Sequence, residues 1–198
     1  MTKPMLTEII FATHNKHKLD EVRAMLSPLR INIIGAADVG LPDVDETGAT
    51  FAENALLKAD AGFKLLGKPV LAEDAGLCIN ALGGMPGLRT ARFADESGGY
   101  PAAFRRINEM LGDNPDRSAY FNCTMALVFN ENSQHIFTGR MTGRIAHNAY
   151  IGGKQFGYDP IFMPDGFDKT TAELGDEIKN TISHRFRALE QIAKFLLD

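Results

Sequence analysis

Pro69-Val70-Leu71-Ala72-Glu73-Asp74-Ala75-Gly76-Leu77 is the stretch that decides the fold class. A short apolar run of the kind that makes a buried strand stops at two adjacent carboxylates, a small residue and a glycine. Charges at the mouth of a buried strand are costly unless they meet a metal, a partner or a substrate. In open α/β sheets, ligands gather at the carboxyl ends of strands, so the stretch predicts both a sheet and a site. Neighbouring residues on a strand face opposite sides, so Glu73 and Asp74 are expected to do different jobs. Asp followed by a small residue and Gly is also a common turn signal, and alone the stretch leaves that reading open.

The flanking sequence extends the α/β pattern. Thr50-Phe51-Ala52-Glu53 has the form of a capping box, and Phe51, Ala55, Ala59, Phe63 and Leu66 continue it at helical spacing. Gly67, with Pro69 just beyond, stops that helix. Upstream, Glu8 to Ala12 reads as a first strand and Ile31 to Ile34 as a second. Between them, Leu19, Val22, Leu26 and Leu29 fall on one face of a helix. An acidic loop, Pro42 to Gly48, follows the second strand.

Downstream, Pro101 suits the first turn of a helix striped by Phe104, Ile107 and Leu111. Phe121, Cys123, Met125, Leu127 and Phe129 alternate along a long strand, which a turn at Asn130 to Gln134 returns as His135 to Ile145. Ile161 to Met163 is a further short strand, and Phe186, Leu189, Ala193 and Leu196 stripe a last helix. The expected fold is α/β, two lobes around a long curved mixed β-sheet with a central cleft, in a single domain over residues 1–198.

Composition narrows the function. A formal charge of -4 over 198 residues argues against a nucleic-acid binder, which would carry a basic face. Cys78 and Cys123 are the only cysteines and form no paired motif, which argues against zinc and a disulfide framework and favours a cytoplasmic setting. The start, MTKPMLTEIIFA, lacks the apolar stretch of a signal peptide, and no run approaches a membrane span.

The usual nucleotide motifs fail. Gly62 to Lys68 nearly matches a phosphate loop, but Pro69 stands where Ser or Thr is needed and the stretch ends a helix instead of preceding one. No G-x-G-x-x-G follows a strand, and no G-x-S-x-G elbow occurs. Polar clusters stand at the boundaries instead. Thr13, Asn15 and Lys18 lie where the first strand hands over to a helix, whose N–H groups could take a phosphate; helix capping is the plainer role for Asn15.

Lys58 sits on an Ala-rich helix, where it either meets a phosphate or is solvated. Asp45, Glu46 and Asp74 could together give magnesium its oxygen ligands. Phe156-Gly157-Tyr158-Asp159, Lys179, Ser183, His184 and Arg185 combine rings, donors and an acceptor, as reading a nucleobase edge requires. Core packing for the rings and capping for His184 are the plainer alternatives.

Taken in order, FATHNKHK, ETGATFAENALLKA, LAEDAGL, LGGMPGLRTARF, FGYDPIF and TAEL…K…SHR resemble the family of non-standard purine nucleoside triphosphate pyrophosphatases. The resemblance runs from about residue 11 to residue 189. It implies hydrolysis of dITP, ITP and XTP to the monophosphate and pyrophosphate by a Mg²⁺-dependent homodimer acting on a small-molecule substrate. It places the phosphate loop on Thr13, His14, Asn15, Lys16, His17 and Lys18, with Lys58 a further phosphate contact. The catalytic acid falls on Asp74, as base or as holder of the metal, with Ala75 beside the substrate. The base readers fall on Phe156, Gly157, Tyr158, Asp159, Lys179, His184 and Arg185. The loop's metal ligand falls on Asp45 or Glu46, with Asp45 favoured.

The chain departs from the family at four places. Ala75 replaces a usual Ser, Glu73-Asp74 a usual Asp-Asp, Asp45 a usual Glu, and Phe186 a small or polar residue. A Maf-like pyrophosphatase of other modified nucleotides, or a sensor that binds nucleotide without turnover, are the alternative readings.

Overall fold

The computed structural model describes residues 6–152 and 156–197. Residues 1–5 of the stretch MTKPMLTEIIFA, expected above to lack the apolar run of a signal peptide, lie outside the described residues. The elements are β1 (Glu8–Phe11), α1 (Lys16–Leu26), β2 (Asn32–Gly35), α2 (Phe51–Leu66), β3 (Val70–Ile79), α3 (Thr90–Ser97), α4 (Tyr100–Leu111), β4 (Ser118–Asn130), β5 (Ser133–Ile145), β6 (Phe162–Pro164), α5 (Thr171–Ile182) and α6 (His184–Leu197). The strands form one six-stranded sheet in the order β2-β1-β3-β4-β5-β6. It is mixed, as expected: β1 runs parallel to β2 and β3, while β5 and β6 are antiparallel.

The chain divides into two compact units. The first comprises Met1–Asp74, Cys123–Gly139 and Arg185–Asp198. Its parallel strands are joined through α1 and α2, as parallel pairs require. Thr50 caps α2 through the foreseen box, its side chain accepting from Glu53 N while the Glu53 carboxylate accepts from Thr50 N. Gly67 ends α2 at φ 62°, a left-handed turn that costs glycine little. The buried face of α2 is Asn54, Ala55, Ala59 and Gly62, smaller than the Phe-lined stripe expected. Small residues bring the helix close: a Cβ on Gly62 would lie 3.1 Å from Val70 Cγ1.

The second unit comprises Ala75–Asn122 and Arg140–His184. Its core gathers Leu77, Ile79, Phe93, Phe104, Phe121 and Phe162 among others. The Phe121 and Phe162 rings meet at 4.7 Å, and Phe121 stacks on His184 at 4.9 Å.

Three expectations are corrected. β3 does not stop at Glu73-Asp74 but continues to Ile79, so both carboxylates lie within the strand. Gly76 is what lets the strand go on: a Cβ there would sit 2.3 Å from Gly87 O and 2.6 Å from Thr90 Oγ1. β4 is buried on both faces from Phe121 to Val128, so the apparent alternation marks no exposed side. Finally, α3 and α5 appear where the sequence pattern gave no helix. α5 is broken at Gly175, whose φ 78° and ψ 169° interrupt the helical period.

Candidate active site

In the first unit, the loop after β1 is shaped by its own polar side chains. Thr13 Oγ1 accepts from Asn15 N at 3.2 Å, and Asn15 caps α1 by accepting from Lys18 N at 3.2 Å. His14, Lys16 and His17 are exposed, and His14 Nε2 lies 3.4 Å from Asp43. The first turn of α1 holds no acid, so the helix dipole and the Lys16 and Lys18 charges together favour an anion there.

The capping box on α2 fixes which side chains face β3. Asn54 and Lys58, four residues apart, share one side of the helix. Lys58 Nζ pairs with Glu46 at 2.6 Å. Asn54, 2% exposed, receives Gly48 N on Oδ1 at 2.7 Å and donates Nδ2 to Asp74 Oδ2 at 2.9 Å. Gly48 permits that approach, since a Cβ there would lie 2.7 Å from Asn54 Oδ1. The amide thus ties the acidic loop to Asp74.

The two adjacent acids have opposite electrostatics. Burial is the largest influence on both and pushes each carboxyl up. At Glu73 the charge of Arg185, then that of Lys18, overcomes burial and holds the group well below the ordinary carboxylate range. Arg185 grips Glu73 through Nε and Nη2, both at 2.8 Å, and Lys18 Nζ lies 2.9 Å from Oε1. At Asp74 the Asn54 hydrogen bond is the main opposing effect, and the charge of Glu46 adds to the rise; Asp74 stays raised.

Glu46 is therefore the loop carboxylate whose charge acts on Asp74, while Asp45 is exposed on the same loop. Among the described residues no three His, Cys, Asp or Glu side chains converge as a ready metal cage. Two carboxylates that repel each other still fit a magnesium ion, which takes its remaining ligands from phosphate and water.

In the second unit, Asp159 and Lys179 form a buried pair at 2.6 Å, with Thr171 Oγ1 donating to Asp159 Oδ1 at 3.2 Å. Lys179 Nζ also stands 4.9 Å over the Phe156 ring, so three of the expected base readers meet around one ammonium. Gly157 takes φ 54°, which turns the chain between Phe156 and Tyr158. Tyr158 is 1% exposed: its ring packs edge-on to Tyr100 at 5.2 Å and its hydroxyl donates to Thr90 O at 3.0 Å. Ala75 is half-buried on β3.

The sequence pattern of the Ham1 family matches residues 9–195. The chain belongs to the Ham1 family. It is 43% identical over 195 residues to the dITP/XTP pyrophosphatase of Leifsonia xyli, with 96% of each chain covered. It is 41% identical to the dITP/XTP pyrophosphatase of Coxiella burnetii, with 98% of each covered. The HAM1 protein structure from Coxiella burnetii superposes with a TM-score of 0.89 at 42% identity, covering 98% of this chain and 99% of that one. The nucleoside-triphosphatase/dITP/XTP pyrophosphatase structure from Mycobacterium abscessus gives a TM-score of 0.76 at 38% identity, covering 93% and 97%.

Asn54 and Glu21, whose carboxylate accepts from Arg185 Nη1, are participants that the sequence pattern does not single out, while Glu73 stands out there only as the neighbour of Asp74. Asn54 left one trace, a polar residue beside Ala55 on a face that is otherwise small and buried. Glu21 left none.

Proposed function

We propose that this Ham1 protein hydrolyses dITP, ITP and XTP between the α and β phosphates, releasing a nucleoside monophosphate and pyrophosphate. The observation that carries the mechanism is Asp74: a buried carboxylate with raised proton affinity, held by one amide and flanked by Glu46 and Lys58. Oδ2 is occupied by Asn54, which leaves Oδ1 to take a proton from the attacking water. A raised carboxyl suits that role, because its basicity lies nearer neutral pH.

Lys18 and Lys58, each now facing a carboxylate, turn to the phosphates when the triphosphate arrives. Asp74 and Glu46 would hold Mg²⁺ together with phosphate oxygens, and the ion would supply charge neutralisation of the polyphosphate. The charge of Glu46, which adds to the rise at Asp74, supports this assignment of Glu46 over Asp45.

Phe156 offers a ring for stacking, and Lys179 and His184 offer donors. Inosine and xanthosine carry a carbonyl at purine position 6, which accepts from such donors; adenine carries an amino group, which does not. The buried free thiols Cys78 and Cys123 support a reducing, cytoplasmic setting, and the resemblance alone supports a homodimer.

The test is pyrophosphate release across a nucleotide panel with Mg²⁺. ITP should exceed ATP in kcat/KM by up to about four orders of magnitude, the scale reached by sites built on hydrogen-bond pairing. Equal values for the two refute the base assignment. Nucleotide binding without pyrophosphate would instead indicate a sensor.

A further inference from the structure

Leu82 to Phe93 carries the stretch LGGMPGLRTARF, to which the proposed mechanism gives no part. Within it, Thr90 bonds to three separate segments. Its hydroxyl accepts from Leu77 N at 2.9 Å and donates to Gly87 O at 2.6 Å. Its backbone carbonyl accepts from the Tyr158 hydroxyl at 3.0 Å. We infer that Thr90 is a positioning residue for nucleobase recognition, pinning the turn at residues 156–159 to the part of β3 that follows Asp74.

Past Asp74, β3 meets the turn that leads into α3. Ile79 N donates to Met85 O at 3.0 Å, as in an ordinary strand pair. At Leu77 the partner is a side chain instead, and the Thr90 hydroxyl stands where a strand would offer a carbonyl. The same oxygen donates onward to Gly87 O, and only a hydroxyl can accept and donate at one atom. Leu77 is fully buried, so a side chain without the hydroxyl leaves its N–H unpaired. Gly76 makes room for the link, since a Cβ there would lie 2.6 Å from Thr90 Oγ1.

The other end of the link is the Tyr158 side chain. Asp159 N donates to Phe156 O at 3.1 Å, which closes a turn with Tyr158 inside it. The Tyr158 ring stands edge-on to Tyr100 at 5.2 Å and to Phe104 at 5.8 Å, and its hydroxyl is fixed on Thr90 O. Ring and hydroxyl together set the orientation of the turn that presents Phe156 and Asp159. A site that selects by hydrogen bonds needs its groups held to within about 0.5 Å, and Thr90 supplies that constraint from outside the turn. This role rests on the proposed function.

The test compares wild type with Thr90→Val, Thr90→Ser and Tyr158→Phe in the presence of Mg²⁺. Valine keeps the branched shape and loses the hydroxyl, whereas serine keeps the hydroxyl. In Thr90→Val the KM for ITP should rise about tenfold with kcat within about threefold of wild type, the effect of one buried bond lost. The KM for ATP should move less than about threefold, so the ITP-to-ATP ratio of kcat/KM falls. Thr90→Ser should stay within about threefold of wild type for both nucleotides. Tyr158→Phe should lower the ratio in the same direction. The double variant should be no worse than the poorer single one, because both changes break the same link.

An unchanged ratio in Thr90→Val overturns the inference, as does a Thr90→Ser variant as impaired as Thr90→Val, or a double variant whose losses add. Should Thr90→Val lose its native circular dichroism, Tyr158→Phe carries the same comparison, and an unchanged ratio there overturns the inference. IMP binding read by calorimetry needs no turnover. Its Kd should rise about tenfold in Thr90→Val, whereas that of inorganic tripolyphosphate, which has no base, should stay within about threefold. A wild type that binds IMP but releases no pyrophosphate from ITP therefore refutes the proposed function and leaves this comparison standing.

Discussion

Replacing Asn54 with leucine removes the link between the acidic loop and Asp74 while keeping the side-chain volume. Two buried hydrogen bonds go: Gly48 N to Oδ1 at 2.7 Å, and Nδ2 to Asp74 Oδ2 at 2.9 Å. A neutral bond contributes about 1 kcal/mol and one to a charged group about 1.5–3, so the loss should be about 3 kcal/mol. The pH dependence has a definite sign. Asp74 is raised in the folded state, so its ionised form costs stability above the folded pKa, and that cost fades as pH falls through it. Asn54 donates to the ionised form, so Asn54→Leu raises Asp74 further. Urea unfolding should therefore show a larger loss at pH 8 than at pH 5. A general base must be ionised to act, so the acid limb of the kcat profile should move to higher pH. A loss under about 1 kcal/mol together with an unmoved acid limb would refute the reasoning.

Asp74→Asn should lower kcat by about two to four orders of magnitude with KM nearly unchanged; pyrophosphate release within about threefold of wild type removes Asp74 as the base. Chelation should abolish activity and Mg²⁺ restore it, with Glu46→Gln raising the Mg²⁺ requirement more than Asp45→Asn; the reverse order returns the metal to Asp45. Gly76→Ala should cost about 2 kcal/mol or more, because its Cβ would sit 2.3 Å from Gly87 O, a backbone atom that cannot swing aside. A melting temperature within about 2 °C of wild type would show that the neighbouring loop yields.

The parts of the fold that were legible are those whose signals are local. The Thr50 box starts α2 and Gly67 ends it, and both are settled by residues within one turn. β1 and β2 fall within a residue of the stretches read for them. The misplaced end of β3 has a different origin. Two acids inside a central strand look prohibitive until their partners are known, and Arg185 lies 112 residues from Glu73 in the chain. α5 escaped because Gly175 interrupts its period, leaving two short pieces that no helical window registers.

The same distance in sequence limits what could be read of the site. Lys18, Lys58 and Asp74 announce themselves by charge at element boundaries, whereas Asn54 acts by geometry alone, through bonds that exist only once α2 lies against β3. Glu73 and Asp74 make the point most sharply. They are neighbours in one strand, both buried, and burial is the largest influence on each. Were burial decisive, both would hold their protons more tightly. The second influence separates them: a guanidinium and an ammonium at Glu73, a neutral amide at Asp74. Positive charges in direct contact outweigh desolvation at Glu73, whereas at Asp74 the amide and the weaker pull of Lys58 and Lys18, opposed by Glu46, do not. One acid is thereby held as an anion among cations, and the other keeps the raised proton affinity that suits the proposed base. The sequence EDAG contains the pair; side chains from helices α1, α2 and α6 set them apart.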